Sequence, residues 1–157
     1  MSQRLLSKAN KRLYSLVLLK RAGVPLMDIK NFHCAIIRPV LEYCSPVFHH
    51  ALPQYLSAEI ERVQKRALSI MHPSYTYEAN LPQFGLATLH KRRQELCDNQ
   101  FKRISTTWHK LSYLRPPNHC SNRHLRKGHE YDLPQINTDR FKHSFIPAMC
   151  AKKFLKT

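Results

Sequence analysis

Ten carboxylates, ten histidines and five cysteines are the residues through which this 157-residue chain could catalyse or hold a metal. Their spacing speaks against both. Polymerase or nuclease chemistry needs two or three carboxylates converging on Mg²⁺, whereas here the acids are dispersed, mostly beside a Lys or Arg, with no Asp-Asp pair. Nucleophilic catalysis has no G-x-S-x-G elbow and no cysteine in a catalytic signature. An iron dioxygenase would show H-x-D, and no histidine is followed by Asp at that spacing. The one metal-like cluster is His119-Cys120-x3-His124 with His129 beyond it. Zinc takes four ligands, usually in two close pairs, and a single cysteine reads better as part of a polar loop whose histidines add basic character. No cofactor and no small-molecule substrate is expected.

Cations remain as the signal. Lys and Arg number 26 against 10 acids, for a formal net charge of +16 and an isoelectric point near 10. Such a chain repels itself until it meets a polyanion, and nucleic acid is the default partner. On helical projection Arg4, Lys8, Lys11 and Arg12 share one outward arc; Lys65 and Arg66, then Lys91 and Arg92, then Lys102, extend the set. Arg123, Arg126 and Lys127 add a basic cluster near the C-terminus. These twelve residues are the expected nucleic-acid contacts. Tyr75 and Tyr77 are the aromatics expected to be available for stacking. Tyr14, Tyr43, Trp108 and Tyr113 are expected in the core. Arg93 projects onto the apolar side of its helix, where pairing with a carboxylate of a neighbouring helix is the expectation.

The elements that must carry these residues are helices. Three glycines exclude phosphate-cradling loops, propeller blades and Rossmann turns. The fold expected is mainly α: a small bundle of about four helices with an irregular basic C-terminal extension. The first helix runs over about 4–22, with Leu5, Leu6, Ala9, Leu13, Leu16 and Val17 on one side and a stop at Gly23 and Pro25. The second spans about 25–43, apolar almost all round, with a kink or break expected at Pro39. A turn-rich connection over 45–55 leads to the third, about 56–71, where Glu61 and Lys65 stand in the favourable i,i+4 order and Pro73 ends the run. A short amphipathic piece follows over 77–81. The fourth helix, capped by Thr88, reaches about Trp108. Two regions are expected: residues 1–110, a helical domain with 17 basic and 7 acidic side chains, and residues 111–157, an extension with 9 and 3. The extension is expected to dock through Phe141, Phe145, Ile146 and Phe154. No apolar run approaches the roughly 20 residues of a membrane span. Five scattered cysteines without a C-x-x-C pair suit reduced thiols, so an intracellular location, nucleus or cytoplasm, is expected.

Several blocks together resemble a known family: SKANKRLYSLVLLKRAGVP, FHCAIIRPVLEYCSPVFHHAL, YLSAEIERVQKRALSIMHPSYTYEAN, LATLHKRRQELC and TDRFKHSFIP. They are similar to the C-terminal part of non-LTR (LINE-type) retrotransposon reverse transcriptases, where such blocks follow the catalytic palm as the helical thumb and the end of the element. The resemblance covers essentially the whole chain. It implies a thumb that grips the template–primer backbone, RNA or an RNA–DNA duplex, with little sequence preference. The family's Tyr-x-Asp-Asp motif is absent, as are endonuclease residues, so no polymerase activity is expected of the chain alone. An ending of this kind without a front resembles the 5′-truncated copies that such elements leave behind. Other expected partners are the missing palm or another protein, and the alternative reading is an interaction module or inert remnant. Segments like the first two helices also occur under the name of an AlkB-type N-terminal region; without H-x-D, that label implies no dioxygenase activity here.

Overall fold

Residues 2–106, 108–118, 131–132 and 135–154 are described by the structure, a computed structural model, with side chains from 5 to 151 within those ranges. Every named element among them is helical. Helix α1 spans Ser2–Arg21. Ala9, Leu13 and Leu16, spaced four and three residues apart, form its buried stripe. Gly23, at φ +74°, ends it: the Gly23 N–H reaches the Lys20 carbonyl and the Val24 N–H the Leu19 carbonyl. That bond pair is a Schellman motif, which needs a left-handed residue and therefore glycine.

Helix α2 (Leu26–Phe32) starts after Pro25 and runs into a π-helical turn, His33–Ile37, and then α3 (Arg38–Glu42). The sequence predicts a kink or break at Pro39, and the chain instead widens by one residue and continues. Pro39 has no N–H for the carbonyl four residues earlier and its ring would collide with it. In the wider turn the Arg38 N–H bonds the His33 carbonyl, five residues back. The Ile36 carbonyl accepts from Arg12 Nη1 at 2.5 Å, so a cation from α1 satisfies a polar group on the irregular turn. Arg12 and Ile36 each lie twelve residues from Val24, as an antiparallel hairpin of α1 with α2–α3 requires.

Helix α4 (Ser45–Phe48) occupies part of the connection expected to be all turn. It follows Cys44, whose φ of +55° is the left-handed conformation in a non-glycine residue. Helix α5 (Gln54–Met71) buries Ile60, Val63, Ala67, Leu68 and Met71. Its C-terminal carbonyl at Met71 accepts from Lys20 Nζ at 2.5 Å, which holds the last turns of α1 and α5 together. Helix α6 (Tyr77–Gln83) is capped by Thr76 and closed by Gly85 with a second Schellman pair, Gly85 to Pro82 and Leu86 to Leu81. Helix α7 (Leu89–Ile104) is capped by Thr88, whose hydroxyl accepts the Lys91 N–H at 3.2 Å, as expected from sequence.

The chain divides into two units, and the division departs from the expected boundary near 110. It falls inside α7, between Arg93 and Gln94, and Cys44–Ala51 belongs with the C-terminal unit. The expected boundary follows the change of composition after Leu114, where Pro116-Pro117 opens a basic, irregular sequence, whereas α7 contributes about one turn to the first unit and three to the second. The first unit packs α1, α2, α3, α5 and α6 around Leu13, Leu16, Ile37, Leu41, Ala67 and Leu68. The second has its own core of Cys97, Phe101, Tyr131, Met149 and Cys150, with Phe145 and Ile146 against it. There the Phe101 ring meets Tyr131 and Phe145 edge-on at 6.4 Å each. Two helices, α8 (Asp139–Lys142) and α9 (Phe145–Phe154), lie in the stretch expected to be irregular. Each is shorter than three helical turns, too little length for a period to register in sequence, and α8 depends on its Thr138 cap, which accepts the Phe141 N–H at 3.2 Å. Phe145 and Ile146 dock as expected, Phe141 stays exposed outside that core, and the Phe154 side chain lies outside the described residues.

Candidate nucleic-acid interface

Of the twelve expected contacts, six are exposed cations: Lys8 and Lys11 on α1, Lys65 and Arg66 on α5, Lys91 on α7 in the first unit, and Lys102 on α7 in the second. No ion pair among the described residues engages any of them. Arg12 and Arg92 are different. Arg12 is half-buried on the Ile36 carbonyl. Arg92 is half-buried with Nε 3.4 Å from Glu42 Oε1, the same oxygen that takes Arg38 Nε at 3.2 Å. One carboxylate thus holds two guanidinium groups, and two of the predicted phosphate ligands serve the fold. Helical projection places them outward because it knows nothing of the neighbouring helix. The Arg4 side chain and Arg123, Arg126 and Lys127 lie outside the described residues, as does the His119/Cys120/His124/His129 segment. Among the described residues, no group of three His, Cys, Asp or Glu side chains could hold a metal ion.

The acids explain why the cations remain exposed. Glu61 does not pair with Lys65 as its i,i+4 position suggests. Its carboxylate accepts the backbone N–H of Leu89 at 3.1 Å and of His90 at 3.3 Å, and the Tyr77 hydroxyl donates to it as well. A carboxylate at a helix N-terminus meets unpaired N–H groups and the positive end of the helix dipole. Glu61 therefore crosses from α5 to α7, and Lys65 Nζ lies instead 5.1 Å from the centre of the Tyr77 ring. Burial, followed by the Glu61 bond, pushes the Tyr77 hydroxyl well above the ordinary tyrosine range. Gln64, buried beside them, donates to the Tyr77 hydroxyl at 3.1 Å and to the Ala87 carbonyl at 3.0 Å. Tyr77 and the first turn of α7 thus meet at Glu61, with Lys65 over the Tyr77 ring.

The aromatic expectations need correction. Tyr77 is half-buried and engaged, not a free stacking ring, whereas Tyr75 is exposed as expected. Tyr14, Tyr43, Trp108 and Tyr113 are all exposed instead of buried. Tyr14 flanks the buried Leu13 and falls off the stripe, and Trp108 lies beyond Ile104, where α7 ends and its period no longer applies. Arg93 is fully buried, as its projection implies, and its Nη2 donates to the Ser57 hydroxyl of α5 at 2.8 Å.

No helix among the described residues is long and apolar enough to cross a membrane. Compared with protein-family models, curated proteins and solved structures, the chain finds no match.

Proposed function

We propose that the chain is a thumb-like, nucleic-acid-binding fragment of a LINE-type reverse transcriptase, which grips template–primer backbone phosphates and does not itself polymerise. The observation that carries the reading is the disposition of charge. Glu42, Glu59 and Glu61 are consumed by Arg38 and Arg92, by Arg62, and by the start of α7, while Lys8, Lys11, Lys65, Arg66, Lys91 and Lys102 stand exposed on helices. Contacts of that kind position a backbone without reading bases. The sequence blocks that resemble the thumb supply the family part of the proposal.

Binding of RNA, DNA and an RNA–DNA hybrid, measured against salt, tests it. The logarithm of the binding constant falls with the logarithm of salt by about 0.9 per duplex phosphate contacted. A slope near zero, or pelleting that is independent of nucleic acid, rejects the reading.

A further inference from the structure

Residues Ser105–Arg115, in the second unit, follow α7 as a run of turns, in which Thr107 lies outside the described residues. Its two ends are tied where Arg115 Nη1 donates to the Ser105 carbonyl at 3.4 Å. Between them runs a chain of turns. The His109 N–H bonds the Thr106 carbonyl, Ser112 bonds His109, Leu114 bonds Leu111 and Arg115 bonds Ser112, at 2.9 to 3.2 Å. The His109 ring Nδ1 accepts the Leu111 N–H at 3.1 Å. Turns that bond one another in this way hold the exposed side chains between them on a fixed support.

Two rings stand out from this ordered backbone. Trp108 is 97% exposed and Tyr113 76% exposed. Tryptophan is rarely left in water by a fold that gains from burying it. The loop's own charge has one sign: from Asp98 to Glu130 the sequence has no acid between, and Lys102, Arg103 and Lys110 are exposed in or just before the loop, while Asp132 joins the backbone beyond it at Pro117.

We propose that this loop is a stacking platform for unpaired bases of a single-stranded nucleic acid. Trp108 and Tyr113 present ring faces, and Lys102, Arg103 and Lys110 hold the adjoining phosphates. The proposal rests on the nucleic-acid reading above and adds a strand preference to it. A duplex hides its base faces in its own stack, so exposed rings gain nothing from it, whereas each unpaired base offers a face to an aromatic side chain. A lipid surface would ask for a broader apolar face than two rings and the exposed Leu111 and Leu114 among cations.

Trp108 is the chain's only tryptophan, so its emission reports on this loop alone. The full chain is titrated with single-stranded oligouridine, with a blunt duplex, and with phosphatidylcholine vesicles containing phosphatidylserine. Oligouridine quenches the emission saturably, and the duplex binds without quenching. Trp108→Ala weakens oligouridine binding roughly tenfold or more, and Trp108→Phe restores most of it. Unchanged circular dichroism of both variants confirms that only an exposed ring was altered. If oligouridine binds with the emission unmoved and W108A binds as well as the parent, the platform is refuted and the general nucleic-acid reading stands. If neither strand form binds, both fall. A blue shift produced by the vesicles alone refutes the platform in favour of a membrane contact.

Discussion

The Glu61 carboxylate on α5 accepts the backbone N–H of Leu89, 28 residues away, at 3.1 Å. This bond decides where α7 begins in space, since the same carboxylate also takes the His90 N–H and the Tyr77 hydroxyl. Glu61→Ala is expected to cost about 2 kcal/mol, the loss of charge-assisted bonds to a helix N-terminus. Glu61→Gln, which keeps an acceptor and loses the charge, should cost less and let the Tyr77 ionisation fall toward its ordinary range. Urea unfolding with an unchanged m-value, and ultraviolet titration of the tyrosines, check the two halves.

His33 is fully buried at the π-turn and neither ring nitrogen finds a hydrogen-bond partner among the described residues. Burial, assisted by Arg38, lowers its pKa from 6.5 to about 4. The fold therefore favours the neutral ring. Above pH 6.5 neither state is protonated and the contribution is complete; between 6.5 and 4 the unfolded chain takes up a proton that the folded one refuses. Stability should fall through that window by roughly 3 kcal/mol. His33→Leu should lack this decline, so the stability difference between parent and variant shifts in the variant's favour by that amount from pH 6.5 to 4, as measured by chemical denaturation of both proteins.

The exposed and the committed cations should separate cleanly in mutagenesis. Arg12→Ala and Arg92→Ala remove bonds to the Ile36 carbonyl and to Glu42, and each is expected to lower stability by about 1–2 kcal/mol. Lys8, Lys11, Lys65 and Arg66 are exposed, so alanine there should leave the melting temperature nearly unchanged. Each that contacts a phosphate should reduce the salt slope of binding by about 0.9. Paired melting and filter-binding measurements tell the two classes apart.

Gly23 has φ +74° and a Cβ placed on it would meet nothing within 4 Å. The cost of Gly23→Ala is therefore one of backbone conformation alone, about 1–2 kcal/mol. A thermal melt should show that loss, with no change in nucleic-acid affinity below the transition.

The long helices were legible because local spacing carries them. Ala9, Leu13 and Leu16 recur at helical intervals, Thr88 supplies a hydroxyl ahead of its helix, and Gly23 and Pro73 close theirs. The buried position of Arg93 was legible in the same way, as a projection onto an apolar face. These are properties of a few consecutive residues and the period that relates them. The short α4, α8 and α9 left no such trace, because fewer than three turns give a period too little length to register.

The use made of each charge belongs to the tertiary structure. Glu61 had a cation one turn away in sequence and bonded α7 instead; Arg12 looked like a surface group and became the partner of a carbonyl displaced around Pro39. Trp108 carries the largest aromatic side chain and stands in water beyond the end of its helix. Hydrophobic burial follows from periodicity, since it depends only on which face a residue occupies. A hydrogen bond or ion pair depends on a specific partner within about 3 Å, and in this chain the partners that matter lie 24 and 28 residues away.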